Sequence, residues 1–123
     1  MRPAVLVAER EPVNALSVRK LVLETAKFNV LTAHSSREAL EMIDVFPGIS
    51  GAIITSDIGA ENNCVTIAHA VKKLRQEIPV IFLSPTGLAD CKWADHVLST
   101  YEPEELLTLV KSLLGDPIVS EKL

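Results

Sequence analysis

Short apolar runs and longer amphipathic segments alternate along the chain. The apolar runs, rich in Val and Ile, fall at Ala4–Ala8, Val30–Ala33, Ala52–Thr55, Val80–Leu83 and His96–Leu98. Their apolar residues are consecutive rather than interleaved with polar ones, the pattern of strands buried on both faces. The segments between them carry helical spacing. In the first, Val18, Leu21, Val22 and Thr25 follow the 3.6-residue repeat. The second, from about Ser36 to Val45, opens with Ser35 and Glu38 at capping-box spacing and stops at Pro47-Gly48. The third, Thr66 to Arg75, sets Ile67, Ala70, Val71 and Leu74 on one face. The last, Pro103 to Leu114, starts Pro-Glu-Glu, with negative charge where a helix N-terminus favours it. It closes at Gly115, a C′ residue, with Pro117 beyond.

Strand–helix alternation of this kind predicts an α/β fold: parallel strands, right-handed crossovers and helices on both faces of the sheet. One crossover is short. Between Leu83 and His96 there is room for a turn or two of helix at most. With 123 residues the chain reads as one domain, residues 1–115, followed by a tail, 116–123.

Composition narrows the function classes. Hydrophobic residues make up 48% of the chain, and the mean hydropathy is positive, +0.28, which excludes disorder as the main state. No apolar run approaches a membrane span, and the N-terminus carries no cleavage pattern, so a cytoplasmic protein without membrane contact is expected. The net charge is −4, and the 12 basic residues form no cluster larger than Lys72-Lys73-Arg75. A nucleic-acid partner needs a basic face, and none is evident. Cys64 and Cys91 stand far apart without a CxxC or Cys/His spacing, so two reduced thiols are expected, and no metal. His34, His69 and His96 fall on three different elements and read as structural.

Open parallel sheets bind ligands beyond the carboxyl ends of their strands. The residues that stand there are Glu9, Arg10 and Glu11 after the first strand, and Thr55, Ser56 and Asp57 after the third. Ser84 follows the fourth strand; Ser99 and Thr100 follow the fifth. Acidic groups on two strands and hydroxyls on others suit a cation or phosphate, although strand ends are also polar simply because they meet solvent.

In order along the chain, VLVAEREP, VLTAHSSREAL, PVIFLS and ADHVLSTYEPEELL resemble the response-regulator receiver domain, over about Ala4 to Leu114. The resemblance implies a flavodoxin-like three-layer α/β/α sandwich with a five-stranded parallel sheet of order 2-1-3-4-5. It implies a stand-alone signalling domain of a two-component system or phosphorelay, not an enzyme. Its partners would be proteins, a histidine kinase or a downstream signalling protein, with a homodimer as a further possibility. In that family an aspartate accepts a phosphoryl group. A Mg²⁺ held by carboxylates cancels the charge repulsion, a lysine adds a second positive charge, and a Ser or Thr hydroxyl binds the phosphoryl oxygen.

This sequence departs from the family pattern at the chemistry. The acidic pair maps onto Glu9 and Arg10, and the lysine maps onto Ser99. The phosphoacceptor is Asp57 if Thr-Ser-Asp-Ile is read as a strand end; an ungapped count back from Ser84 favours Ser56. Ser84 keeps the switch hydroxyl's place and Tyr101 the aromatic switch's place. GAENNCV replaces the family's usual segment after the acceptor, and the helix after the fourth strand is shortened or lost.

These departures predict a degenerate, pseudo-receiver site that needs no cofactor. Arg10 would pair with Asp57, Glu9 or both, since arginine forks onto carboxylates. Two alternatives stay open: a working receiver using Asp57 with Glu9, Glu11 and Mg²⁺, and a small flavodoxin-like enzyme or nucleotide binder. Against the last, there is no GxGxxG after a strand, no Walker A and no GxSxG. Trp93 is either a contact patch for a partner or a cap on the core where the helix is missing.

Overall fold

A computed structural model describes residues 2–10, 17–58, 63–84, 91–99 and 102–118. Five strands and four helices follow in the order β1 (Ala4–Ala8), α1 (Val18–Thr25), β2 (Asn29–Ala33), α2 (Ser36–Val45), β3 (Gly51–Thr55), α3 (Asn63–Leu74), β4 (Val80–Leu83), β5 (His96–Leu98) and α4 (Pro103–Leu114). The strands form one parallel sheet of order β2-β1-β3-β4-β5, the α/β sandwich expected. Among the described residues the connection from β4 to β5 holds no helix.

The consecutive apolar runs lie where both faces of the sheet are covered. Every residue of β3 and β4 is buried, whereas the edge strands β2 and β5 are half-exposed. One face carries Leu6, Ala8, Ala52, Ile54, Val80 and Phe82 against Ala39 and Ile43 of α2 and Ile67, Ala68 and Val71 of α3. The other carries Val5, Val7, Ile53, Ile81 and Leu83 against Leu23 of α1 and Leu106 and Val110 of α4. Each fully buried Leu, Ile or Val side chain contributes about 1.5–3 kcal/mol. An exposed ion pair such as Arg37–Glu41 contributes at most about 1 kcal/mol, so the two apolar layers decide the fold.

The helix ends follow local chemistry. Ser35 caps α2, its Oγ accepting from Glu38 N at 3.1 Å. Glu38 reaches back one residue further than a capping box requires and accepts from His34 N at 2.7 Å. At the end of α1, Phe28 N donates to Leu23 O (3.0 Å) and Lys27 N to Glu24 O (2.9 Å), the paired bonds of a Schellman motif. Lys27 therefore sits at φ +74°, where glycine is usual. Gly115 closes α4 at φ +86°.

Two expectations need correction. Helix α3 begins at Asn63, three residues earlier than the apolar spacing indicates. Cys64 and Cys91 are not free thiols: they form a disulfide, with Cα atoms 5.8 Å apart. Separated by 27 positions in the sequence, they meet because the start of α3 and the β4–β5 connection lie at the same end of the sheet. Both are nearly enclosed in the core layer between sheet and α3.

Candidate functional site

The carboxyl ends of the strands gather the polar residues singled out by the sequence. Glu9 follows β1 and keeps its alternation, so it shares the α1 side of the sheet with Val5 and Val7. It is fully buried. One of its oxygens, Oε1, accepts from Ser17 Oγ, and the other, Oε2, pairs with Arg19 Nε at 2.5 Å. Ser17 also caps α1, its Oγ accepting from Lys20 N at 3.1 Å. One hydroxyl thus fixes both the helix start and the buried carboxylate. The main-chain oxygen of Glu9 lies 3.1 Å from His34 Nδ1, which ties the end of β1 to that of β2.

Arg10 does not fill the role expected of it. Its side chain is exposed and its guanidinium reaches neither Asp57 nor Glu9. Strand alternation turns residue 10 to the opposite side from residue 9. Only the backbone of Arg10 approaches Asp57, its N–H lying 3.5 Å from Oδ1. The charge partner of Glu9 comes instead from α1, as Arg19, a residue the sequence reading passed over. Its signal was positional: Ser17 opens α1, and Arg19 stands two residues into the first turn.

Asp57 is exposed in the turn after β3. Its Oδ1 accepts from the buried Thr55 hydroxyl, which also lies 3.5 Å from the main-chain oxygen of Ala8. Ser56 N donates to Leu83 O at 2.9 Å, continuing the β3–β4 register and setting Ser56 beside Ser84. The β1–β3 register, continued two residues past Ala8 and Ile54, sets Arg10 beside Ser56. Ser84 is fully buried, and its Oγ has no hydrogen-bond partner among the described residues. Ser99 is exposed after β5. Glu11, Thr100 and Tyr101 lie outside the described residues.

On the other side of β4, α3 and the segment before β5 are joined at successive points. Cys64 bonds Cys91, His69 stacks on Trp93 with ring centroids 5.2 Å apart, and Lys72 Nζ meets Asp95 Oδ2 at 2.6 Å. Lys72 Nζ also donates to the main-chain oxygens of Gln76 (3.0 Å) and Ile78 (2.7 Å), so its three N–H groups are used. Asp95 Oδ2 accepts from Val80 N at 2.8 Å. Burial works to raise the Asp95 pKa. The Lys72 and Val80 hydrogen bonds, with the charges of Lys72 and His96, outweigh it and hold the group below its ordinary value. Trp93 is half-buried, packs on the core and has Lys92 Nζ 5.3 Å from its ring centroid.

No protein-family model matches the chain, and no curated protein matches it in sequence. Solved structures do match its shape. A response regulator receiver protein from Sinorhizobium medicae superposes with a TM-score of 0.76 at 20% identity, covering 92% of this chain and 94% of that one. The fold is that of a receiver domain. A receiver-modulated diguanylate cyclase from Pelobacter carbinolicus matches at TM-score 0.70 and 22% identity, over 98% of this chain and 99% of that one. The chemotaxis protein CheY4 of Vibrio cholerae gives 0.71 at 17% identity, over 93% and 100%.

Receiver domains imply Mg²⁺; among the described residues at the strand ends Asp57 keeps one oxygen, Oδ2, without a hydrogen bond, whereas Glu9 does not fit the ion. Mg²⁺ takes one or two free carboxylates along with water and phosphate oxygens. Both oxygens of Glu9 are engaged by Ser17 and Arg19, and the residue after it is an arginine, Arg10, not a carboxylate. Among the described residues no group of three or more His, Cys, Asp and Glu could hold a metal ion. No described helix is long and apolar enough to cross a membrane.

Proposed function

We propose that this chain is a receiver-like signalling domain of a two-component system or phosphorelay whose phosphoacceptor site is degenerate, and that it acts through contacts with other proteins. The observation that carries this reading is the pairing of Glu9 with Arg19. A buried carboxylate already paired with a guanidinium, with a donor on each oxygen, has its charge balanced without a cation. The register supports it further: Ser56 lies beside Ser84 and Arg10, and this reading takes Ser56 rather than Asp57 as the acceptor position. A serine hydroxyl is a far weaker nucleophile than a carboxylate toward a phosphohistidine. With Ser99 in the lysine's place, the second positive charge of the reaction is also missing.

Protein partners are the class left by the charge distribution, and the half-exposed edge strand β5, with Val97 53% exposed, is the surface we assign to them. Trp93 adjoins that strand. A homodimer through this edge is part of the same proposal, and size exclusion chromatography of the wild type and of Val97→Glu tests it.

A second reading rests on Asp57, whose Oδ1 is engaged while Oδ2 accepts no hydrogen bond among the described residues. Under it, Asp57 takes the phosphoryl group. One experiment separates the two. The intact protein is incubated with acetyl phosphate and Mg²⁺ and weighed. An unchanged mass is expected. A stoichiometric gain of one phosphoryl group, abolished by Asp57→Asn, would overturn the degenerate reading.

A further inference from the structure

We propose that Cys64 and Cys91 form a reversible dithiol–disulfide site, and that its redox state sets how firmly residues 91–95, the stretch leading into β5, are held on α3. This goes beyond the signalling reading and does not depend on whether any residue is phosphorylated.

The bond is placed for a local change, not a global one. It joins the second residue of α3 to the connection that leaves β4 at Ser84. Two further contacts fasten the same pair of segments closer to β5: the His69–Trp93 stack and the Lys72–Asp95 ion pair. Opening the disulfide therefore releases Cys91 from Cys64 while Trp93 and Asp95 stay tied to α3. The fold does not need the bond as a staple, because a chain of this length buries enough apolar surface on its own. Both cysteines lie in an apolar layer where reduced thiols pack as small hydrophobes.

Exchange follows ordinary thiol chemistry with a dithiol reductant. One thiolate of the reductant attacks Cys91 Sγ, forming a mixed disulfide and breaking the bond to Cys64. Cys64 departs as a thiolate at the N-terminal end of a 12-residue helix, where the helix dipole stabilises negative charge, and then takes a proton from water. The reductant's second thiol displaces Cys91, which is protonated in turn. Two electrons and two protons pass to the protein, and the reductant leaves as a disulfide. Each cysteine is only 4% exposed, so the attack needs the segment around Cys91 to lift from α3. Once the bond is open, Cys91 has lost its covalent tie to α3, so the segment lifts more often.

Trp93, the only tryptophan, stands two residues after Cys91 and reports on this movement. The test equilibrates the native full chain in buffers of increasing reduced-to-oxidised dithiothreitol ratio, traps thiols with iodoacetamide and weighs the product. Tryptophan emission and amide exchange over residues 91–95 are read in parallel. The expected result is two alkyl groups gained in the native state under reducing buffer, against none in the oxidised protein, which has no free thiol. Emission and exchange over residues 91–95 change together with it, and oxidised dithiothreitol reverses all three. Cys64→Ser/Cys91→Ser should fold and show the reduced emission at every ratio. The proposal is overturned if the bond opens only in denaturant, or if it opens with emission and exchange unmoved. Two free thiols persisting under oxidised dithiothreitol, or a double variant that does not fold, would overturn it equally.

Discussion

Arg19 and Glu9 form an ion pair across the gap between helix α1 and strand β1, with the carboxylate fully buried and the arginine side chain 18% exposed. Removing the arginine leaves an uncompensated buried charge. Arg19→Ala is expected to lose about 3 kcal/mol of stability. The same change releases Glu9, so Mg²⁺ should raise the melting temperature of the variant and leave that of the wild type unmoved. Thermal unfolding with and without Mg²⁺ checks both. An equal rise in the wild type would contradict the pairing argument.

Asp95 links stability to acidity. Its carboxyl titrates below the ordinary value of 3.8 in the folded chain. A depressed folded pKa gives a contribution that is present above the unfolded pKa, about 4, and is lost as pH falls through the folded value. Denaturant melts at pH 7, 4 and 3 should therefore show the wild type losing more stability below pH 4 than Asp95→Asn does. The variant should already be weaker at pH 7, where Lys72 lacks its counter-charge. Parallel pH profiles for the two proteins would refute this.

Lys27 occupies the left-handed region at the Schellman end of α1. A side chain there clashes with its own carbonyl, and glycine does not, although glycine loses more backbone entropy on folding. Lys27→Gly is expected to stabilise the domain by about 0.5–1 kcal/mol. The urea midpoint should rise with an unchanged slope.

The buried hydroxyl of Ser84 has no protein partner among the described residues. An unsatisfied buried donor costs about 1–3 kcal/mol. Ser84→Ala should therefore match or exceed the wild type, by up to about 1 kcal/mol, in a calorimetric melt. A loss of more than that would reveal a partner for the hydroxyl.

The strands were legible because consecutive apolar residues have one good solution in a two-sided layer. Thus Ala4–Ala8, Val80–Leu83 and His96–Leu98 have the limits read from the sequence. So do α2, with Ser35 at its cap, and α4, with Pro103 at its start and Gly115 at its end. The start of α3 was not legible, since Asn63 and Cys64 are weak helix formers without an apolar repeat. The gathering of Glu9, Ser56, Asp57 and Ser84 at the strand ends was legible, but their pairings were not. Adjacency in the chain pointed to Arg10, yet a strand turns successive side chains to opposite faces, and the arginine that meets Glu9 arrives from another element. The disulfide was hidden for a related reason. A separation of 27 residues carries no motif, and only the crossover topology makes the two sulfurs neighbours.

If the site is degenerate as proposed, the placement of Arg19 on a helix, outside the strand-end motif, means that editing that motif alone would not restore cation binding. Substituting Arg10 by Asp and Ser99 by Lys would rewrite the motif but leave the guanidinium seated on Glu9 and Ser17 bonded beside it. Freeing Glu9 for a cation would require replacing Arg19, a change that is destabilising by itself. The buried pair would then act as a ratchet, with the fold's own stability guarding the charge-balanced pocket.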